Sequence, residues 1–226
     1  MEQQQASNDD LGPAPARDLL IAVDGPAASG KGTIARALAR HYDLPHMDTG
    51  LLYRAAALNL WRWGGDPGNE FEALRACHEL GIVADDPELR SEPVSKIASS
   101  ISAYPSVRAA LLDRQQDFAR QAGGAVLDGR DIGTVIAPDA TAKLFVTASA
   151  EVRSERRLKE LRGRGMDPPL EDVLADVRAR DERDSTREVA PLKQAPDAVL
   201  LDTTELNVEQ AIADAIRLVE EQLENA

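Results

Sequence analysis

Residues 21–33 read IAVDGPAASGKGT, and the rest of the chain is arranged around them. The apolar run Leu19–Val23 has the length of a buried strand and stops at Asp24. A loop of small residues follows, Gly25, Pro26, Ala27, Ala28, Ser29 and Gly30, and then Lys31, Gly32 and Thr33 lead into the helical run IARALARHY. Strand, glycine-rich loop, lysine and helix in the spacing GxxxxGK make a phosphate-binding P-loop. Small residues let several backbone N–H groups converge on an anion, and the helix beginning near Gly30 turns the positive end of its dipole to the same point. Lys31 is placed to reach the outer phosphates and Thr33 to reach a hydrated magnesium ion. The simplest form of the motif has Ser or Thr directly after the lysine; here Gly32 intervenes and the hydroxyl comes one place later.

Downstream, short apolar runs alternate with longer helical patterns. Further strands are expected at 44–48, 125–127, 142–147 and 198–202. Helices are expected from Thr49 to about Trp63, over 69–80 and 94–102, from Pro105 through DRQQDFARQ, at 151–161, from Leu170 to about Asp184, and from Val208 to about Leu223. Gly81–Pro93 has no long period and reads as a loop with one short extended piece. Strands separated by helices of this length argue for an α/β fold, a three-layer arrangement around a parallel central sheet. MEQQQASNDDLGPAPARD has neither a positive start nor an apolar core, so it reads as a lead-in rather than a secretory signal, with residues 1–17 disordered.

The balance of 43% hydrophobic and 29% charged residues is that of a soluble globular domain, and no run approaches the roughly 20 apolar residues of a membrane span. The single cysteine, Cys77, excludes an internal disulfide framework and suits a reducing cytoplasm. A net charge of −13 argues against binding to nucleic acid but not against a small phosphorylated substrate held by local arginines.

Three such constellations stand out. Asp128 closes a strand in VLDGRD and is placed to act with Thr33 on magnesium-bound water, or else serves as a turn cap; Arg130 and Asp131 follow it toward the same crevice, where a guanidinium fork matches a phosphate. Thr49 and Tyr53, four apart on one helix face, make with Arg54 a clamp for a phosphate-bearing acceptor. Beyond Glu151, Arg153, Arg156, Arg157, Arg162, Arg164, Arg180, Arg183 and Arg187 surround the break RGRGMDPP, which suits a mobile lid over a polyphosphate. His46 has no metal-ligand partner nearby in sequence and reads as structural, as Trp61 and Trp63 read as packing.

DGPAASGKGT, MDTGLLYRAAAL, SSISAYPSVRAALLDRQ, LDGRDIGTVIAPDA, RARDERDSTREVAPL and LDTTELNVEQ together resemble the bacterial cytidylate kinase family. The resemblance implies a P-loop nucleoside monophosphate kinase fold, with a small monophosphate-binding insert at about 64–104, a helical lid at about 156–187 and a core at 18–62 and 105–223 within a domain spanning 18–226. It implies transfer of the γ-phosphoryl group of ATP to CMP or dCMP, with Mg2+. Gly25 to Thr33 hold ATP, joined by Arg157 from the lid. Ser99, Arg108 and Asp131 read cytosine, whose exocyclic amine needs an acceptor such as Asp131. Tyr53, Arg180 and Asp184 lie near the sugar, and Arg54, Arg130 and Arg187 grip the CMP phosphate. Lys31, Asp128, Arg130 and Arg187 are the catalytic candidates. The family's DSG is DTG here, with Thr49 keeping the hydroxyl. Only about forty-four residues separate Arg54 from Ser99, too few for the three-stranded insert usual in the bacterial type.

Two other readings stay open on the residues alone. A P-loop kinase of UMP or AMP shares the phosphate contacts and differs at the base. An ATP-binding switch without a metabolite acceptor leaves Arg54, Arg130 and Arg187 without a ligand. A cytoplasmic monomer acting on small molecules, with no membrane or nucleic-acid partner, is expected.

Overall fold

The computed structural model describes residues 18–78, 80 and 86–225. The lead-in at 1–17 and the first five residues of the stretch expected to carry a short extended piece, 81–85, lie outside the described residues. Five parallel strands form the sheet: β1 (Leu20–Asp24), β2 (His46–Asp48), β3 (Ala125–Gly129), β4 (Ala142–Thr147) and β5 (Val199–Asp202), in the order β2-β3-β1-β4-β5. Parallel pairing brings the C-terminal ends to one edge, where Asp24 stands opposite Gly129 and Asp48 opposite Asp128. With β1 at the centre, between β3 and β4, its C-terminal end is the place where ligands gather in such sheets.

Both faces are covered, as near-continuous apolar strands demand. Helices α1 (Lys31–His41) and α8 (Val208–Glu224) pack Ile34, Leu38, Ala215 and Val219 against Ile21, Val23 and Leu144. A reciprocal Asn207–Gln210 box caps α8. The opposite face is closed by α5 (Pro105–Ala119) and a π-helical turn, Ile132–Ile136, with Ile132 and Ile136 against Ala22 and Leu127. No sequence pattern announced that turn.

A second core lies beside the sheet. Helices α2 (Gly50–Arg62), α3 (Glu70–Ala76) and α4 (Glu92–Ile101) bury Leu58, Leu60, Ala73, Val94 and Ile101 with Leu111 of α5. The regular elements described within 64–104 are all helical, and include a 3-10 turn at Pro87–Arg90 that Asp86 caps. Helix α4 begins two residues earlier than expected because Pro93 sits in its first turn. Trp61 and Trp63, expected to pack, are instead 42% exposed each at the end of α2, where Arg75 lies over the Trp63 ring at 4.9 Å. Beyond β4, α6 (Ala150–Arg162) and α7 (Leu170–Thr186) form a hairpin around a small core of Leu158, Leu161, Val173 and Met166.

Candidate active site

The loop after β1 is held in a narrowly constrained shape. A Cβ on Gly25 would stand 2.0 Å from the Val146 carbonyl oxygen of β4, so any side chain there would break the sheet. Gly30 caps α1 at φ 92°, and Ala28 sits at φ 60°, a conformation costly for a residue with a Cβ. Thr203 Oγ1 and Arg156 Nη1 donate to the Ser29 carbonyl, at 3.0 and 3.4 Å. Arg156 therefore braces the loop from outside. Lys31 reaches back to the Pro26 carbonyl at 3.3 Å. Burial, then the charge of Arg130, push its ammonium down to about 8, with Asp128 and Asp48 pulling the other way.

The loop opens on a crevice of about 1000 Å3 between the sheet edge, the α2–α4 layer and the α6–α7 hairpin. That is the size of a site for a large ligand or a pair of smaller ones. Asp128 stands at its floor. His46 Nε2 lies 2.7 Å from Asp128 Oδ1, and Oδ2 lies 3.6 Å from where a Cβ on Gly32 would be, so the free oxygen faces the head of α1. Thr49 lines the crevice, and its hydroxyl donates to the Asp128 carbonyl at 2.9 Å, joining the β2–α2 turn to β3.

Two groups of side chains divide the far wall. Arg108 Nη2 donates to Asp131 Oδ2 at 2.5 Å, Arg187 Nη2 lies 3.6 Å from Asp131 Oδ1, and Arg108 lies over the Tyr53 ring at 5.7 Å. Ser99 Oγ, on α4, accepts from Arg183 Nη2 at 3.2 Å. Nearer the P-loop, Arg130 Nε donates to Asp184 Oδ2 at 2.8 Å. Burial alone would raise the Asp184 carboxyl, but Arg130 and Arg180 overcome it and hold the group below its ordinary range. Arg54 donates from Nη1 to Ser95 Oγ at 2.5 Å and to the Leu89 carbonyl at 3.2 Å.

Arg180 is the least satisfied of these cations. Its Nε has no hydrogen-bond partner, and burial, then Arg130, push it down to about 9 against Asp184, with Arg54 and Arg157 adding to the push. A guanidinium does not shed its proton, so crowding of this kind is relieved by an anion. Arg187, expected on the acceptor phosphate, has Asp131 and Arg108 among its charged neighbours, and Arg180, expected at the sugar, has Arg130, Asp184, Arg54 and Arg157. Of the hairpin arginines, Arg153 is tied to Asp181 and to the Ala148 carbonyl. Arg157 meets Glu92 and Arg164 meets the Arg90 carbonyl, both across the mouth of the crevice.

Ser95 and Glu92 escaped the sequence reading, which took His46 as structural and Arg183 only as one of the lid arginines. Ser95 lies four residues before Ser99 on one helix face, and His46 lies two before Asp48 on one strand face, so spacing held part of the signal. What made His46 meaningful was the adjacency of β2 and β3, which a sequence does not print.

The family described as cytidylate kinase matches residues 21–221. A cytidylate kinase of Xanthobacter autotrophicus is 59% identical over 203 residues, covering 89% of this chain and 97% of its own. One from Caulobacter sp. strain K31 is 55% identical over 202 residues, covering 89% and 94%. Among solved structures, a gluconokinase from Sinorhizobium meliloti aligns with a TM-score of 0.51 at 16% identity, over 92% of this chain and 95% of that one, a likeness of fold alone.

Proposed function

The chain belongs to the cytidylate kinase family, and from that membership we propose how its crevice carries the γ-phosphoryl group of ATP to CMP or dCMP. The activity is ATP-dependent phosphoryl transfer to a small pyrimidine nucleotide. We assign the loop from Gly25 to Thr33 to the ATP phosphates, with Lys31 on the outer ones and Arg157 reaching in from the hairpin. Arg108, Asp131 and Ser99 read cytosine. The acid–base pair at Asp131 supports this, because the exocyclic amine needs an acceptor while O2 and N3 need donors. Tyr53 and Asp184 flank the sugar. Arg54, Arg130 and Arg180 gather on the acceptor phosphate, and Arg187 orders Asp131 from behind.

No side chain needs to act as nucleophile, since an oxygen of the CMP phosphate attacks directly. The protein's part is to align two phosphates, neutralise them and exclude water. Hard oxygen donors, the Thr33 hydroxyl and the free Asp128 Oδ2 beside Gly32, fit a hydrated Mg2+ brought with ATP. Bound there, Mg2+ would offset the charge of the β- and γ-phosphates. His46 holds the other Asp128 oxygen and so orients the carboxylate.

We place the monophosphate-binding insert at about 64–104 and the lid at about 156–187, on a core of 18–62 and 105–223. No described helix is long and apolar enough to cross a membrane. We infer a cytoplasmic monomer, because one chain supplies every wall of the crevice; light scattering checks the oligomeric state.

The observation that carries this reading is the buried Arg108–Asp131 pair standing beside a phosphate-side arginine cluster in one crevice with the P-loop. A coupled assay with ATP and each of CMP, dCMP, UMP and AMP tests it. Preference for CMP and dCMP is expected, and equal use of UMP or AMP would overturn the base assignment.

A further inference from the structure

The π-helical turn Ile132–Ile136 begins immediately after Asp131, which stands at its N-cap position. The first N–H groups of any helical turn lack internal partners, and an aspartate at the cap is the usual acceptor for them. Asp131 does not serve in this way: its side chain makes no cap hydrogen bond and is turned to Arg108 and Arg187 instead. The acceptor comes from another element. Asp24, the last residue of β1, is 4% exposed and takes the Ile132 N–H on Oδ1 and the Gly133 N–H on Oδ2, each at 2.8 Å.

We propose that Asp24 is a positioning residue for acceptor recognition, capping the 132–136 turn from β1 so that Asp131 is released to face the cytosine amine. Three observations carry this. Both carboxylate oxygens are matched, one to each of two successive amides, so the group is oriented as well as placed. The turn is packed on that side: a Cβ on Gly133 would crowd the Lys143 stem at 3.2 Å and stand in ordinary contact with Asp24 Oδ2 at 3.5 Å. And Asp131 has a competing use for its carboxylate one residue away, which it would adopt if the two amides were left bare. Asp24 is also the residue before Gly25, so a single side chain ties the root of the ATP loop to the acceptor wall.

The inference rests on the assignment of Asp131 to the base, and the test separates the two. Asp24→Asn, Asp131→Asn and the double variant are compared for kcat, for KM of CMP and ATP, and for CMP over UMP discrimination. An amide at position 24 keeps one acceptor and sets an NH2 against the second N–H. Loss of one of the two hydrogen bonds then predicts about a tenfold rise in KM for CMP and less than about threefold for ATP. If Asp24 works through Asp131, the double variant discriminates no worse than Asp131→Asn alone, because the two changes lie on one path. Losses that multiply, or a KM for ATP that rises as far as that for CMP, would overturn the proposal. Falling discrimination in Asp131→Asn with none in Asp24→Asn would sink it while leaving the base assignment intact. Unchanged discrimination in Asp131→Asn would sink both. Should Asp24→Asn fail to fold, amide hydrogen exchange on the unaltered protein decides: Ile132 and Gly133 N–H are expected to be as protected as strand amides of β3, and fast exchange there contradicts the cap.

Discussion

Single residues in this molecule are asked to hold charge where water is scarce, and two of them give sharp tests. Lys31 is kept close to the loop by the Pro26 carbonyl, its ammonium is lowered to about 8, and the proposed site sets it on the outer phosphates. Lys31→Ala is expected to reduce kcat by roughly two to three orders of magnitude, in the manner of losing one preorganised donor. CMP affinity, measured by calorimetry, should stay nearly unchanged, since the acceptor wall does not use this residue. Asp24 gives a stability test. Burial lifts its carboxyl from 3.8 to about 7, even though the Gly133 and Ile132 amides lower it; Asp131 adds a little to the rise and Arg130 opposes it. A folded-state value above the unfolded one means that the native protein keeps a proton the unfolded chain releases. Stability therefore falls as pH rises between about 4 and 7, by at most roughly 4 kcal/mol over the window. Urea unfolding at pH 5, 6, 7 and 8 should show this downward component in the parent and not in Asp24→Asn.

Among the elements, the α6–α7 hairpin shows most clearly which contacts matter. Arg153 is nearly buried and sends a fork to Asp181, at 2.9 and 2.6 Å, while its Nε bonds the Ala148 carbonyl at 2.8 Å. Arg178 and Glu151 join the same helices at 2.8 Å, but both side chains are about 60% exposed. Exposed pairs contribute between nothing and about 1 kcal/mol, whereas a buried acceptor that loses its donor costs more. Arg153→Ala is expected to destabilise the protein by about 2–4 kcal/mol in urea unfolding and Arg178→Ala by less than about 0.5 kcal/mol. Arg153→Lys should recover little, because one ammonium cannot replace a planar fork and a third bond. The hairpin also shows what a sequence discloses about elements. Its two helices were expected on either side of the break RGRGMDPP, and they lie there, at Ala150–Arg162 and Leu170–Thr186. The same holds for the five strands, since each apolar run ends at a polar residue on the sheet edge. The Ile132–Ile136 turn was illegible because its cap comes from Asp24, more than a hundred residues earlier, and no local pattern encodes a cap supplied from another strand.

At the scale of the whole molecule, legibility ends where distant segments choose partners. The residue types of the crevice were readable: P-loop, DGRD strand end and paired arginines announced two anions. The charged surroundings of each arginine were not, because Arg180 and Arg187 lie on one helix and its end, two turns apart, and only the docking of that helix separates them. The same docking closes the mouth. Arg157 is engaged by Glu92 of α4, Arg164 by the Arg90 carbonyl, and Lys96 stands 3.4 Å from Asp176. If Arg157 belongs to ATP, the nucleotide must first take it from Glu92, so the carboxylate competes with the phosphates for one guanidinium. The free energy of that contact is subtracted from ATP binding. Glu92 and Arg157 are only partly buried, which limits the contact to about 1 kcal/mol. Glu92→Gln should therefore lower the KM for ATP about three- to fivefold while leaving that for CMP unchanged. Arg157→Ala combined with Glu92→Gln should abolish the gain. An unchanged or higher KM for ATP in Glu92→Gln would mean that Arg157 is a strut between hairpin and insert, and that the ATP phosphates are met by the loop and the inner arginines alone.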